Sequence, residues 1–150
     1  ILKQLGREPV SRHHLVQKKV VEEIWDKAHS EYQIKAISGD DLARALSGGN
    51  QQKVILAREI NSDPRVLIAN QPTRGLDVGA AEYVRTKILE ARNSGTSCLL
   101  VSADMEELLQ LSDRIAVIYG GQLMGILPRG ADPMAIGRLM MGKREQEVGA

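Results

Sequence analysis

A chain of 150 residues, 43% of them apolar, is long enough to form one domain with a usable core. A net charge of +1, no phenylalanine and one tryptophan, Trp25, exclude a basic stripe interleaved with aromatics, so no nucleic-acid partner is expected. The single cysteine, Cys98, excludes an intrachain disulfide and fits a reducing compartment, and no apolar run reaches the ~18 residues of a spanning helix.

No signal peptide is visible, and the first residue is Ile1 rather than methionine, so a processed or partial chain is expected. The first 45 residues read as polar and helical. "HLVQKKVVEEIWDKA" places Leu15, Val16, Val20, Ile24 and Ala28 near helical spacing, and "EYQIKAISGDD" follows as a connector through Gly39. From Leu46 the pattern changes. "LSGGNQQKVILAREINSDP" predicts a helix opened by Ser47 and two glycines, with Val54, Ala57 and Ile60 on one side, stopping at Asp63-Pro64. "RVLIA" then reads as a short apolar strand, "VGAAEYVRTKILEARNSG" as a helix closed by Gly95, and "SCLLVS" as a second strand. Both strands look buried on two faces. "MEELLQL" is a short helix, "RIAVIYGGQLMGIL" a hairpin about Gly120-Gly121, and "DPMAIGRLMMGKREQEVGA" a helix from Pro133 running into a mobile polar tail. Alternating strands and helices predict an α/β layer with parallel strands and a final edge hairpin.

The sharpest local signal is "LSGGNQQK", residues 46–53. The Ser47 hydroxyl can cap the helix, Gly48 and Gly49 carry no Cβ to hold a ligand off the backbone, and the first-turn N–H groups form an anion site. Over three residues an ordinary serine cap would look the same. Over eight, followed by "VILAREI", a strand and "QPTRGLD", it does not.

That combination resembles the ATP-binding-cassette ATPases. "LSGGNQQK" is similar to the family signature, "VLIANQP" to its Walker B strand, "GLD" (Gly75–Asp77) to its D-loop, and "LVSADMEE" to its switch-histidine loop. The wording is most similar to the second cassette of the tandem ATP-binding subunits that serve simple-sugar and nucleoside importers. The resemblance covers roughly residues 1–142, with residues 1–45 matching loosely as the end of a helical subdomain, 46–127 as part of the ATPase core, and 128–150 as a C-terminal helix and tail.

What the resemblance implies is specific. Two cassettes of the family pair head to tail, so Leu46, Ser47, Gly48, Gly49, Asn50 and Gln51 would face ATP held by a partner cassette, with Asp77 crossing toward the same site. Asp77 serves equally well as the cap of the helix that begins at Val78. The family strand ends in a Mg²⁺-orienting aspartate and a water-polarising glutamate, where this chain has Asn70 and Gln71; Ala103 stands at the switch histidine. Asn70 keeps shape but loses charge, Gln71 cannot accept a proton, and Ala103 has no polar side-chain atom. No catalytic residue is therefore expected intact, and Mg²⁺ is expected only at the partner's site. No GxxxxGK(S/T) loop and no glutamine loop occurs in the sequence. The implied partners are another cassette, membrane-embedded permease subunits and, indirectly, an extracytoplasmic substrate-binding protein, with the chain peripheral on the cytoplasmic face of the cell membrane. A pure interaction module that binds no nucleotide is the alternative.

The remaining residues weigh less. His13, His14 and His29 read as solvated helical surface, and Arg74 as a turn residue or a nucleotide or interface contact. Cys98 reads as core rather than nucleophile. Met124, Met134, Met140 and Met141 read as core and edge packing.

Overall fold

The computed structural model describes residues 5–143, so the first four residues and the mobile tail expected beyond 143 lie outside the described residues. Two compact units divide the chain, Ile1–Leu99 and Leu100–Ala150. The first opens with a hairpin where a helix was expected. β1 (Ser11–Arg12) pairs antiparallel with β2 (Leu15–Val16), Arg12 opposite Leu15. His13 and His14 form the turn with φ of 50° and 65°, the two positive angles of a type I′ connection. That turn holds Leu15 and Val16 extended, so their helical spacing goes unused and α1 begins only at Lys18, running to Glu31. The two histidines are exposed as expected, but on a hairpin tip. His29 is half-buried on α1, its Nε2 3.2 Å from the Ala36 carbonyl oxygen.

After the connector come α2 (Gly48–Ile60), β3 (Val66–Asn70), α3 (Val78–Asn93) and β4 (Ser97–Val101). β3 and β4 are hydrogen-bonded neighbours in a parallel sheet, joined by α3 as a crossover. Gly95 closes α3 with φ of 99°, a left-handed position that glycine takes without strain. Tyr32, Ile34, Leu56, Ala57, Leu67, Val84, Ile88 and Ala91 form the core between these elements, with Cys98 packed against it. Each large aliphatic there contributes ~1.5–3 kcal/mol through burial. Burial also pushes the Cys98 thiol up, away from thiolate chemistry.

The strands bury one face, not two. Leu67 is 7% exposed, while Val66 and Ile68 on the opposite face are 59% and 67% exposed and Leu99 is 56% exposed. Alternation along the pleat sends successive side chains to opposite faces, and α2 and α3 supply partners for only one of them.

The second unit holds α4 (Met105–Leu111), β5 (Arg114–Tyr119), β6 (Gln122–Pro128) and α5 (Pro133–Met140). β5 and β6 pair antiparallel about Gly120 and Gly121, both at positive φ. α5 starts with Asp132 accepting from the Met134 amide and lays Ile136 and Leu139 on Ile115 and Val117. Met124 joins that core, but Met134, Met140 and Met141 are exposed, because α5 turns only its Ile136 and Leu139 side inward. Among the described residues no helix is long and apolar enough to cross a membrane.

Candidate functional site

The first helix turn of α2 gathers the signature residues. Ser47 occupies the N-cap with extended backbone, yet its hydroxyl makes no capping bond to the helix. It accepts instead from the Asn50 side-chain nitrogen at 2.9 Å. The expected hydroxyl cap is thus absent, and the bond the oxygen accepts comes from the Asn50 side chain one turn along. The first intrahelical bond runs from the Gln51 amide to the Ser47 carbonyl at 2.9 Å, so the N–H groups of residues 48–50 precede the ladder. Gln51 also donates through Nε2 to the Leu46 carbonyl at 2.9 Å, fixing the chain as it enters α2.

The two glycines differ. A Cβ on Gly48 would meet nothing within 4 Å, whereas one on Gly49 would lie 3.1 Å from the Ala80 Cβ of α3. Gly48 leaves open space above the helix end. Gly49 permits close helix–helix approach, so its lack of a side chain has a packing cause apart from any ligand. The sequence alone could not separate them, since Ala80 is far along the chain.

Through Gly49 and Ala80 the starts of α2 and α3 meet, two positive helix ends in one region. They are finished differently. Asp77 caps α3, accepting from the Ala80 amide at 2.8 Å. No side chain caps α2. A negative group arriving at this region would therefore find unpaired donors on α2 and a carboxylate already engaged on α3.

The end of β3 carries the other candidate residues. Asn70 is the last strand residue and is exposed; Gln71 follows with φ of 50°. A left-handed backbone is costly for a long side chain, by roughly 1–2 kcal/mol. The turn holds it there: the Gln71 carbonyl accepts from the Arg74 amide at 3.2 Å, Pro72 is buried, and Gly75 also takes positive φ. Arg74 is exposed in this turn. Neither Asn70 nor Gln71 offers a carboxylate, so these two side chains bring neutral carbonyl oxygens and no negative charge toward a hard cation. In the second unit, Ala103 is exposed in the loop before α4, where Asp104 caps the helix by accepting from the Glu106 and Glu107 amides. Ala103 brings only a methyl group to that loop.

Behind the signature, α2 is anchored by polar contacts that the motif did not announce. The Lys35 amide donates to Asn50 Oδ1 at 2.7 Å, and Lys53 Nζ donates to the Gln33 carbonyl at 3.1 Å while lying 4.7 Å from the Tyr83 ring centre. Tyr32 donates to Asn61 at 2.9 Å and Tyr83 to the Glu31 carbonyl at 3.3 Å. Burial first, then Glu31 for Tyr32 and Glu90 for Tyr83, pushes both phenols up to about 12.

The strand–helix–strand crossover beside a glycine-opened helix has the fold found in ATP-binding cassettes. The fold matches a dimeric cassette solved in a post-hydrolysis state with ADP and phosphate, at TM-score 0.67 and 19% identity, covering 81% of this chain and 52% of that one. No protein-family model matches the chain. Among curated proteins it is 47% identical over 131 residues to the guanosine import ATP-binding protein of Bacillus subtilis, covering 85% of this chain and 26% of that protein. It is 52% identical over 101 residues to the nucleoside import ATP-binding protein of Lactococcus lactis, covering 67% of this chain and 20% of that protein. With the ribose import ATP-binding protein of Lacticaseibacillus paracasei it shares 40% identity over 140 residues, 93% of this chain and 28% of that protein. The chain belongs to the ATP-binding-cassette family of transporter ATPases. It spans about a quarter of the length of these curated relatives.

Proposed function

We propose that this chain is part of the ATP-binding subunit of an importer for simple sugars or nucleosides, and that it lends its signature to ATP held by a partner cassette. The observation that carries the reading is the helix end at Ser47–Asn50, uncapped by any side chain and open above Gly48. Backbone N–H groups, the helix dipole and a serine hydroxyl suit a phosphate and need no charged residue. The bound nucleotide supplies the phosphoanhydride whose cleavage drives transport. This chain supplies donors and shape.

Its own site, by the same reading, has no hydrolytic groups. Asn70 stands where the family orients Mg²⁺, Gln71 where it polarises water and Ala103 where it places a histidine, so Mg²⁺ belongs to the partner's site alone. Asp77 would both cap α3 and face the partner. The permease subunits and an extracytoplasmic binding protein complete the assembly, with this chain peripheral on the cytoplasmic side of the membrane. Residues 1–45 would close a helical subdomain, 46–127 would belong to the ATPase core and 128–150 to a terminal helix and tail.

The test is turnover by the assembled transporter with Gly48→Asp. The introduced carboxylate enters open space and repels phosphate, so ATP hydrolysis should fall at least ~10-fold, the scale of losing one charge-assisted hydrogen bond. Unchanged turnover and transport would favour the second reading, a module that only braces its partners. One observation leans that way: packing against Ala80 accounts for Gly49 without any ligand.

A further inference from the structure

Asn50 sits at the crossing of two hydrogen bonds whose direction is fixed. The Lys35 backbone amide can only donate, so the atom 2.7 Å away must be the Asn50 carbonyl oxygen. The Asn50 NH₂ group is thereby turned to Ser47, whose Oγ at 2.9 Å must accept. A serine hydroxyl has one proton to give, and here it is not needed by Asn50. Donation runs one way along the row, from the Lys35 amide to Asn50 and from Asn50 to Ser47, and leaves the Ser47 proton unused by Asn50. Aligned bonds of this kind polarise one another.

We propose that Asn50 is a positioning residue for the signature, keeping the Ser47 proton pointed outward toward a phosphate oxygen and tying that orientation to the segment behind α1. The proposal rests on the reading that Ser47 meets a phosphate, and adds what makes it a donor. The tie to the 33–35 segment is doubled, since Lys53, one turn along the same face of α2, holds the Gln33 carbonyl at 3.1 Å. Gln33 itself takes φ of 51°, which turns the chain off α1 so that alternate residues, 33 and 35, present a carbonyl and an amide to α2. A displacement of this segment would pull Asn50 and release the Ser47 hydroxyl to turn back on its own helix. An aspartate at 50 would accept from both neighbours and draw the Ser47 proton inward.

The experiment is a two-residue cycle in the assembled transporter, reading kcat and KM for ATP in Ser47→Ala, Asn50→Ala and the double variant. Ser47→Ala and Asn50→Ala should each lower kcat/KM by roughly 10-fold, the worth of one hydrogen bond to a charged group, and the double variant should lose no more than about twofold beyond Ser47→Ala. A role confined to fold stability would multiply the two losses, and that result overturns the proposal while leaving the signature reading intact. No effect of Ser47→Ala would sink the signature reading and this proposal together. Should Asn50→Ala fail to assemble, hydrogen exchange in the unaltered transporter decides: the Lys35 amide should be protected, and exchange at the rate of free peptide would overturn the proposal.

Discussion

The start of α2 and the end of β3 lie in one unit and are built by different means. At α2 what is on offer comes from backbone: N–H groups bared by helix geometry, space above Gly48, and a serine bonded by Asn50. At β3 the backbone delivers two side chains, Asn70 and Gln71, and everything the site can do depends on what those side chains are. Backbone chemistry is erased only by moving the chain or filling its space. Side-chain chemistry is erased by exchanging an oxygen for a nitrogen, with the turn unmoved. In the proposed account that is what separates the two regions here.

Exchanging the amides at the end of β3 for carboxylates should have the greatest consequence. In a transporter whose same cassette keeps an intact phosphate loop and whose other cassette is silenced, Asn70→Asp with Gln71→Glu should strengthen Mg²⁺-dependent nucleotide binding and recover part of the hydrolysis. General-base help is worth ~10²–10⁴-fold, and adding Ala103→His should raise the rate more in the restored background than alone. Rates and Mg²⁺ dependence unchanged by all three would show that the β3 end differs in more than its amides.

At α2 the two glycines should separate stability from turnover. Gly49→Val should destabilise the chain by ~1–3 kcal/mol, because its side chain must displace Ala80 from contact that is already tight. Gly48→Ala should leave the denaturation midpoint unchanged or slightly raised, alanine being the better helix former by ~1 kcal/mol at most, while lowering ATP turnover in the transporter. Equal melting behaviour for the two variants would remove the distinction. A smaller effect separates the neighbouring helix starts: Asp77→Ala should cost ~1 kcal/mol of stability through the lost bond to the Ala80 amide. Ser47→Ala should cost less, since its hydroxyl caps nothing.

At neutral pH the tyrosines behind the signature contribute no change at all. Their phenols hold protons to about 12 against an ordinary 10, so the folded chain binds protons that the unfolded chain releases above 10. The associated stability is fully present below pH 10 and is lost as pH rises toward 12, with the phenolate absorbance of Tyr32 and Tyr83 appearing late. A titration of both phenols near 10 in the folded chain would contradict the buried junction.

Much of this was legible in the sequence because the relevant signals are local. The two strands, the helix from Val78 closed by Gly95, the Gly120-Gly121 hairpin and the helix at Pro133 each carry their own turn or cap residues. Leu15 and Val16 misled because their spacing suits a helix, and only the positive φ of His13 and His14 makes them strands. The Ser47 cap misled because Asn50 competes for it, and the exposure of Val66 and Ile68 depends on which partners cover the sheet. Tertiary neighbours decide such matters, as Ala80 does for Gly49. Lys35 had no sequence signal, since it acts through its backbone amide.

Whether the signature of this chain faces a phosphate gripped by another cassette can be read by labelling. An ATP analogue carrying a photoreactive group on its γ-phosphate would be bound to the assembled transporter, irradiated, and the labelled peptides sequenced. Label should appear on the peptide spanning residues 46–53 of this chain and disappear when the partner's phosphate loop is disabled. Label absent from that peptide, or persisting without the partner's loop, would mean that the signature does not face a phosphate held by another cassette.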